Sequence, residues 1–132
     1  MKLSVTMVLL LLASANAWAD QKQPTDAELS DWMIYLRSVG IPSTVKICGP
    51  VLQDEARLQG ASQAWFLYNQ ASVDRGHAVA ASQPPKGWES LEDYNTAMIQ
   101  DFETKLGNKP APEKLKICTD YLTLLEKRAE HP

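Results

Sequence analysis

The heptads PSTVKIC (Pro42–Cys48) and PEKLKIC (Pro112–Cys118) carry the two cysteines of this 132-residue chain at equivalent positions. Each heptad opens on proline, a residue that is favoured in the first turn of a helix. Val45 or Leu115 lies three residues before the cysteine, on the same side of a helix. The repeat therefore predicts two proline-led helices, each with one inward-facing cysteine.

Residues 1–19 have the pattern of a secretory signal peptide. A positively charged start is followed by an apolar run at residues 8–13 and by an A-x-A cleavage site at residues 17–19. The apolar run is shorter than the roughly 20 residues that span a bilayer. We therefore expect cleavage before Asp20, no stable membrane anchor, and a single helical domain over residues 20–132 that is periplasmic or secreted.

Export also decides how the cysteines are interpreted. Two inward-facing cysteines on neighbouring helices pair in an oxidising compartment, so we predict a Cys48–Cys118 disulfide. A nucleophilic cysteine would need an unpaired thiol with a lowered pKa. The two residues are also too far apart in sequence to form a C-x-x-C redox motif.

Helical periodicity runs through the first half of the mature chain. A capping box at Thr25–Glu28 begins helix A, and Gly40 is the expected end of that helix. Helix B begins at Pro42, and Gly49–Pro50 predicts a kink or break before the helical pattern resumes as far as Ala71.

The second half repeats this arrangement. The segment from Gly76 to Gly87 contains Pro84–Pro85 and predicts a turn followed by a linker. Helix C begins at a cap on Ser90, and helix D begins at Pro112. The sequence therefore predicts an all-α bundle of four to five helices, with two helical hairpins (A with B, C with D) tied by one disulfide.

Candidate catalytic and metal-binding groups are few. His77 and His131 are the two histidines, and neither an H-E-x-x-H nor a C-x-x-C-H motif is present. A bundle haem would need His77 together with Met33 or Met98. We expect no catalytic residue, no metal site and no cofactor, with a small hydrolase or haem carrier as the alternative.

The acidic residues give no stronger indication of catalysis. They form the neighbouring pairs Asp54–Glu55 and Glu92–Asp93, and adjacent helical residues point about 100° apart. The formal net charge is −3, and removal of Lys2 with the leader makes the chain more acidic. A mildly acidic surface disfavours nucleic acid and anionic membranes as partners. A second protein is the expected partner.

The run Trp65-Phe66-Leu67-Tyr68 places four large side chains in succession, and a helix cannot bury all four against one neighbour. Core packing is the favoured interpretation of these aromatic residues. The functional alternative is an anchor for a protein partner, because Trp and Tyr are enriched in binding hot spots. The candidate partner-binding residues are Trp65, Phe66, Tyr68 and Trp88.

Two segments resemble those of type VI secretion amidase immunity proteins. LKICTDYL (Leu115–Leu122) is similar to their last helix, and QGASQAW (Gln59–Trp65) is similar to their Ala-rich central helix. Gly49–Pro50 has no counterpart in that pattern. The resemblance implies a small exported helical protein with a disulfide that blocks a toxin in the periplasm, and it assigns Cys118 as a disulfide partner.

These observations favour a non-catalytic periplasmic protein-binding module. The most specific form of this hypothesis is an immunity or inhibitor protein that occludes a partner enzyme, such as a secreted or periplasmic hydrolase or toxin. A periplasmic chaperone or stress-response protein is the alternative, because carboxylates that lose their charge in acid would loosen the bundle and expose its aromatic faces. A homodimer is left open.

Overall fold

Four α-helices make up the computed structural model, which describes residues 24–128. No β-strand occurs within that range. The predicted all-α class is therefore confirmed. The predicted signal peptide and His131 lie outside the described residues. In chain order the helices are α1 (Asp26–Leu52), α2 (Glu55–Ser82), α3 (Leu91–Gly107) and α4 (Ala111–Lys127).

The predicted helix starts at Thr25 and Ser90 are confirmed. The Thr25 hydroxyl accepts from the amide of Glu28 (3.2 Å), and the Glu28 carboxylate accepts from the amide of Thr25 (2.9 Å). The Ser90 hydroxyl accepts from the amide of Asp93 (3.1 Å). These caps satisfy amides that have no partner within the helix, so α1 and α3 begin where the local sequence predicts.

The predicted end of helix A at Gly40 is wrong. The interruption predicted at Gly49–Pro50 comes a few residues later, at residues 53–54 between α1 and α2. Helix α1 continues through both sites and ends at Leu52, where Gln53 adopts a left-handed conformation with a φ of 55°. The reason is the long apolar face of α1. The residues of this face that belong to the buried core cluster recur every seven residues; they are Ile34, Ile41 and Cys48.

Side-chain hydrogen bonds to backbone carbonyls occur in the turns of α1 around its first proline, Pro42. Pro42 has no amide hydrogen to offer the carbonyl of Ser38, four residues earlier. In the same turns the Thr44 hydroxyl donates to the carbonyl of Gly40 (2.8 Å), and the Ser38 hydroxyl donates to the carbonyl of Tyr35. The first heptad therefore lies inside a helix, whereas the second opens α4 with a proline in its first turn.

The predicted turn at Gly76 is also wrong, because α2 continues to Ser82 and the linker covers residues 83–90. Gly76 is buried where α2 crosses α1. A Cβ atom added to it would lie 2.6 Å from the carbonyl carbon of Asp31 and 2.7 Å from the Cβ of Tyr35. The glycine therefore permits a close approach of two helices and does not end one.

The pairing of helices differs from the predicted pair of hairpins. Predicted helices A and B are one helix, so the long hairpin consists of α1 and α2. Helix α4 packs on both members of this hairpin, and α3 packs mainly on α1.

The predicted disulfide is confirmed. It joins α1 to α4 through Cys48 and Cys118, whose Cα atoms are 5.4 Å apart. Both cysteines are fully buried in the core cluster. Within residues 24–128 no helix is long and apolar enough to cross a membrane.

Candidate functional site

The run from Trp65 to Tyr68 divides between the core and the surface. Trp65 is fully buried, and Phe66 is half-buried with its ring edge-on to Trp65 at a centroid distance of 5.4 Å. Leu67 is 84% exposed and Tyr68 is 64% exposed. Successive helical residues are about 100° apart, so a helix that buries Trp65 must turn Leu67 toward solvent.

This arrangement corrects one candidate residue. The Trp65 side chain has no exposed surface, so it cannot contact a partner and acts as a core residue. Leu67, in contrast, was not among the predicted partner-binding residues. Its exposure follows from the direction of Trp65, two residues earlier, and the sequence alone does not fix that direction. We call Leu67 and Tyr68 the α2 ridge.

The α2 ridge lies on a well-anchored part of α2. Beside Trp65, the buried side-chain amide of Asn69 donates to the carbonyls of Trp65 (3.0 Å) and Arg128. Its partner at Arg128 directly follows α4, so this contact ties the middle of α2 to the end of the chain that the structure describes. The ridge is therefore held from beneath by packing and by hydrogen bonds.

Trp88 lies elsewhere, in the linker between α2 and α3. It is 43% exposed, and its ring packs edge-on against Tyr94 at a centroid distance of 5.7 Å. Tyr94 also lines a groove of about 270 Å³ whose apolar members include Leu29, Trp32, Val79 and Pro85. We call Trp88 with this groove the Trp88 corner.

The Trp88 corner and the α2 ridge are separate surfaces. Val79 of the corner and Tyr68 of the ridge both lie on α2, and the 1.5 Å rise per residue places them roughly 16 Å apart along its axis. The structure therefore brings Phe66 close to the α2 ridge but does not bring Trp88 to it.

A third apolar surface lies between α1 and α3. This α1–α3 groove has a volume of about 310 Å³, and its lining residues are Met33, Leu36, Arg37, Gly40, Thr44, Met98, Ile99, Phe102 and Tyr121. It contains Met33 and Met98, the two alternative methionine ligands of the hypothetical bundle haem. His77 does not line it, because its ring packs against Tyr35 at a centroid distance of 5.3 Å. The structure therefore does not assemble the hypothetical His–Met pair.

Two cross-helix ion pairs use arginines of α2. Arg75 donates to both carboxylate oxygens of Asp31 (2.8 and 3.2 Å) and to the hydroxyl of Ser72 (3.1 Å). Arg57 donates to both carboxylate oxygens of Glu126 (2.7 and 3.1 Å). The first pair joins α2 to α1, and the second joins α2 to α4.

The hydrogen bonds in these pairs shift the pKa values of the groups that form them. The bond to Asp31, reinforced by its charge, raises the pKa of Arg75. The bond with Glu126 raises the pKa of Arg57, and the same bond lowers the pKa of Glu126. Each of these shifts favours the charged form of the group concerned, so the two arginines and Glu126 stay ionised around neutral pH.

The neighbouring acidic pairs take structural positions. Asp54 accepts from the amide of Arg57 (3.3 Å) as the cap of α2, and Glu92 and Asp93 lie in the first turn of α3. Over the described range 24–128, no group of three or more His, Cys, Asp or Glu side chains could hold a metal ion.

No protein-family model, curated protein or solved structure matches this chain. The resemblance to type VI secretion amidase immunity proteins therefore stays a prediction from two short segments. Of these segments, Gln59–Trp65 leads into the α2 ridge, and Leu115–Leu122 lies on α4 around Cys118.

Proposed function

We propose that this chain is a non-catalytic protein-binding module of an extracytoplasmic compartment, and that it acts as an immunity or inhibitor protein. The observation that carries the proposal is the α2 ridge, where the side chains of Leu67 and Tyr68 are both largely exposed to solvent on a long helix. Tyrosine is enriched in binding hot spots, where large side chains enter pockets of the partner. A projecting ridge suits insertion into the cleft of an enzyme.

The rigidity of the ridge supports an inhibitory role. Helix α2 is anchored by its hairpin with α1, by the Arg57–Glu126 pair, and by the hydrogen bonds of Asn69. A surface that is ordered before binding loses little conformational entropy in the complex, and its affinity rises accordingly. The buried disulfide is compatible with the oxidising compartment in which such a protein would meet its partner.

To test the proposal, the wild-type protein is immobilised, and the secreted and periplasmic hydrolases that bind to it are isolated. Inhibition of each hydrolase is titrated with wild type, with Tyr68→Ala and with Leu67→Asp. We expect one hydrolase to be inhibited at a 1:1 ratio, and each variant to weaken inhibition by about 10- to 30-fold, the range for a hot-spot residue worth roughly 2 kcal/mol.

The matched control is Leu115→Asp, which places the same charge at an exposed leucine on α4. It should inhibit like wild type. Failure to inhibit any retained hydrolase would refute the inhibitor proposal, and equal losses in all three variants would refute the role of the ridge.

A periplasmic chaperone or stress-response protein is the second candidate. The observation that favours it is the scatter of exposed apolar side chains over three helices, namely Leu29, Met33, Leu67 and Leu115. Such a surface suits weak contacts with many unfolded clients. Light scattering of an unfolding client at low pH distinguishes the two, because a chaperone would suppress aggregation and its single-site variants would each lose only a small part of that effect.

A further inference from the structure

The middle of α2 has an exposed side without charges. Residues 58–73 include no Asp, Glu, Lys or Arg, and this stretch is about 24 Å long at the rise of an α-helix. The solvent-facing sides of helices usually carry charged residues. Helices α3 and α4 follow that rule with exposed ion pairs, namely Asp101–Lys105 and Lys116–Asp120. Because depletion of charge is the compositional signal of an interface core, this side of α2 has the composition of a contact surface.

This side of α2 has one projecting apolar residue between small ones. Leu67 is 84% exposed, and a Cβ atom added to Gly60 would meet nothing within 4 Å. Small residues allow a second helix to approach closely, and the space above them accepts a projecting leucine. We call this surface the α2 face. Its members recur at three- and four-residue steps and are Gly60, Gln63, Ala64, Leu67, Gln70 and Ala71.

Charges of opposite sign lie at the two ends of the α2 face. Arg57 precedes it, and its side chain is 58% exposed. This arginine donates to Glu126 through Nε and one Nη, so its other Nη group has N–H donors for a second carboxylate. Asp74 follows the face and is exposed. It accepts from Gln70 through Oδ1 (2.8 Å), and its other oxygen has room for a second donor.

A helix that complements this surface carries a carboxylate opposite Arg57, a cation opposite Asp74, and small residues opposite Leu67. A second copy of α2, running in the opposite direction, has this order. We propose that the α2 face is a two-fold contact between two copies of this chain, with their α2 helices antiparallel. A closed contact of this kind requires a self-complementary patch.

The register of the contact follows from the charges. A two-fold axis at the level of residues 65 and 66 places Arg57 opposite Asp74 of the second copy, each about 13 Å from the axis along the helix. The same register places Leu67 opposite Ala64 of the second copy. It also places Gly60 opposite Ala71, where neither side chain obstructs the approach of the helices.

The dimer would cover the α2 ridge, because Leu67 lies near its centre and Tyr68 follows directly. A target enzyme would therefore bind the monomer and compete with the dimer. This competition rests on the proposed function, whereas the dimer does not. The two are separable by experiment, since self-association is measured without any enzyme.

The test is sedimentation equilibrium of the oxidised wild-type protein between roughly 1 and 200 μM, a range that detects the micromolar affinity of a small contact. We expect a reversible monomer–dimer equilibrium that stops at the dimer, because a two-fold contact is closed. A monomer at every concentration would overturn the proposal, and so would association that continues beyond the dimer. This measurement needs no variant to fold.

Variants then locate the contact. Leu67→Asp should weaken the dimer about 10- to 30-fold, whereas Leu115→Asp, the same change at an exposed leucine of α4, should dimerise like wild type. Asp74→Arg should weaken it about tenfold, because two arginines then face each other. Adding Arg57→Asp to Asp74→Arg should restore much of the affinity by exchanging the charges. Circular dichroism checks the fold of each variant. A double variant weaker than Asp74→Arg alone would contradict the antiparallel register.

The competition has its own readout. Asp74→Arg leaves Leu67 and Tyr68 unchanged, so it should inhibit a bound hydrolase at least as strongly as wild type at concentrations where wild type is dimeric. Weaker inhibition by Asp74→Arg would refute the competition. A dimer that forms as expected while no hydrolase is inhibited would refute the proposed function and leave the dimer standing.

Discussion

At the scale of single residues, stability is most sensitive to substitution where two helices pack so closely that no side-chain atom fits between them. Gly76 is the clearest case, since its Cα faces the backbone of Asp31 and the side chain of Tyr35 across the α1–α2 contact. Gly60 lies on the same helix, and a Cβ added there would meet nothing within 4 Å. The two glycines share a residue type and a helix but have opposite roles.

Gly76→Ala should destabilise the protein, and Gly60→Ala should stabilise it. An added methyl group at Gly76 overlaps backbone atoms that cannot move independently, and overpacking of this kind costs about 1–3 kcal/mol. At Gly60, alanine improves helix propensity by about 0.5–1 kcal/mol without a contact. Urea unfolding of both variants measures the change in the free energy of unfolding. A stable Gly76→Ala variant would show that α1 and α2 are farther apart than the structure places them.

At the scale of helices, the sequence predicted the starts better than the ends. The caps at Thr25 and Ser90 depend on side chains within three residues, so they could be recognised locally. The stops at Gly40 and Gly76 were predicted from the same kind of local rule and were wrong. Whether a glycine or proline ends a helix depends on what the helix would otherwise bury, and for α1 that is a face fixed by packing against α2 and α4.

The candidate site shows the same division between local and long-range information. Exposure of Tyr68 and burial of Trp65 follow from one rotational angle of α2, which depends on the tertiary contacts of its neighbours. The α1–α3 groove joins residues from α1, α3 and α4, and no motif in the sequence marks it.

The contacts of α3 predict its dynamics. Leu106 is the one buried residue of α3, and near the other end of the helix the side-chain amide of Asn95 donates to the hydroxyl of Tyr35 (2.8 Å). Because these contacts are few, α3 should open at lower free energy than α1 or α2. Hydrogen exchange should show faster exchange for residues 94–102 than for residues 62–76. Equal protection of the two segments would contradict the inference that α3 is lightly held.

The Arg57–Glu126 pair predicts a pH dependence of stability. The pKa of Glu126 is lowered in the folded state by its hydrogen bond with Arg57. Its contribution is therefore fully present above the unfolded pKa and is lost as the pH falls through the folded value. Unfolding free energies at about pH 7 and about pH 3 should differ less in Glu126→Gln than in wild type.

The control for this prediction is Glu89→Gln, which removes an exposed carboxylate from the linker. Its pH dependence should equal that of wild type. Because the pair is exposed, added salt should reduce the difference between wild type and Glu126→Gln. An identical pH dependence in all three proteins would show that the pair contributes nothing measurable.

At the scale of the whole molecule, the disulfide compensates for a topology with few contacts late in the chain. Helices α1 and α2 form an extensive hairpin, whereas α3 and α4 each depend on that hairpin for their burial. Cys48–Cys118 connects α4 directly to α1 across a sequence separation of 70 residues. The repeated heptad therefore fixes the second half of the chain on the first, although its two copies lie at different places in their helices.

Replacing both cysteines, Cys48→Ala with Cys118→Ala, should lower the free energy of unfolding by about 4 kcal/mol, the loop-entropy estimate for closing a chain of this length. Guanidinium unfolding of the oxidised wild type, the reduced wild type and the double variant provides the measurement. The reduced protein and the double variant should lose similar amounts, because both free the same loop in the unfolded state. Since α1 and α2 keep their own contacts, far-ultraviolet circular dichroism should retain most of the helical signal in both. A decrease of less than about 1 kcal/mol in the free energy of unfolding would mean that the burial of Leu122 and Leu125 holds α4 in place and that the disulfide adds little.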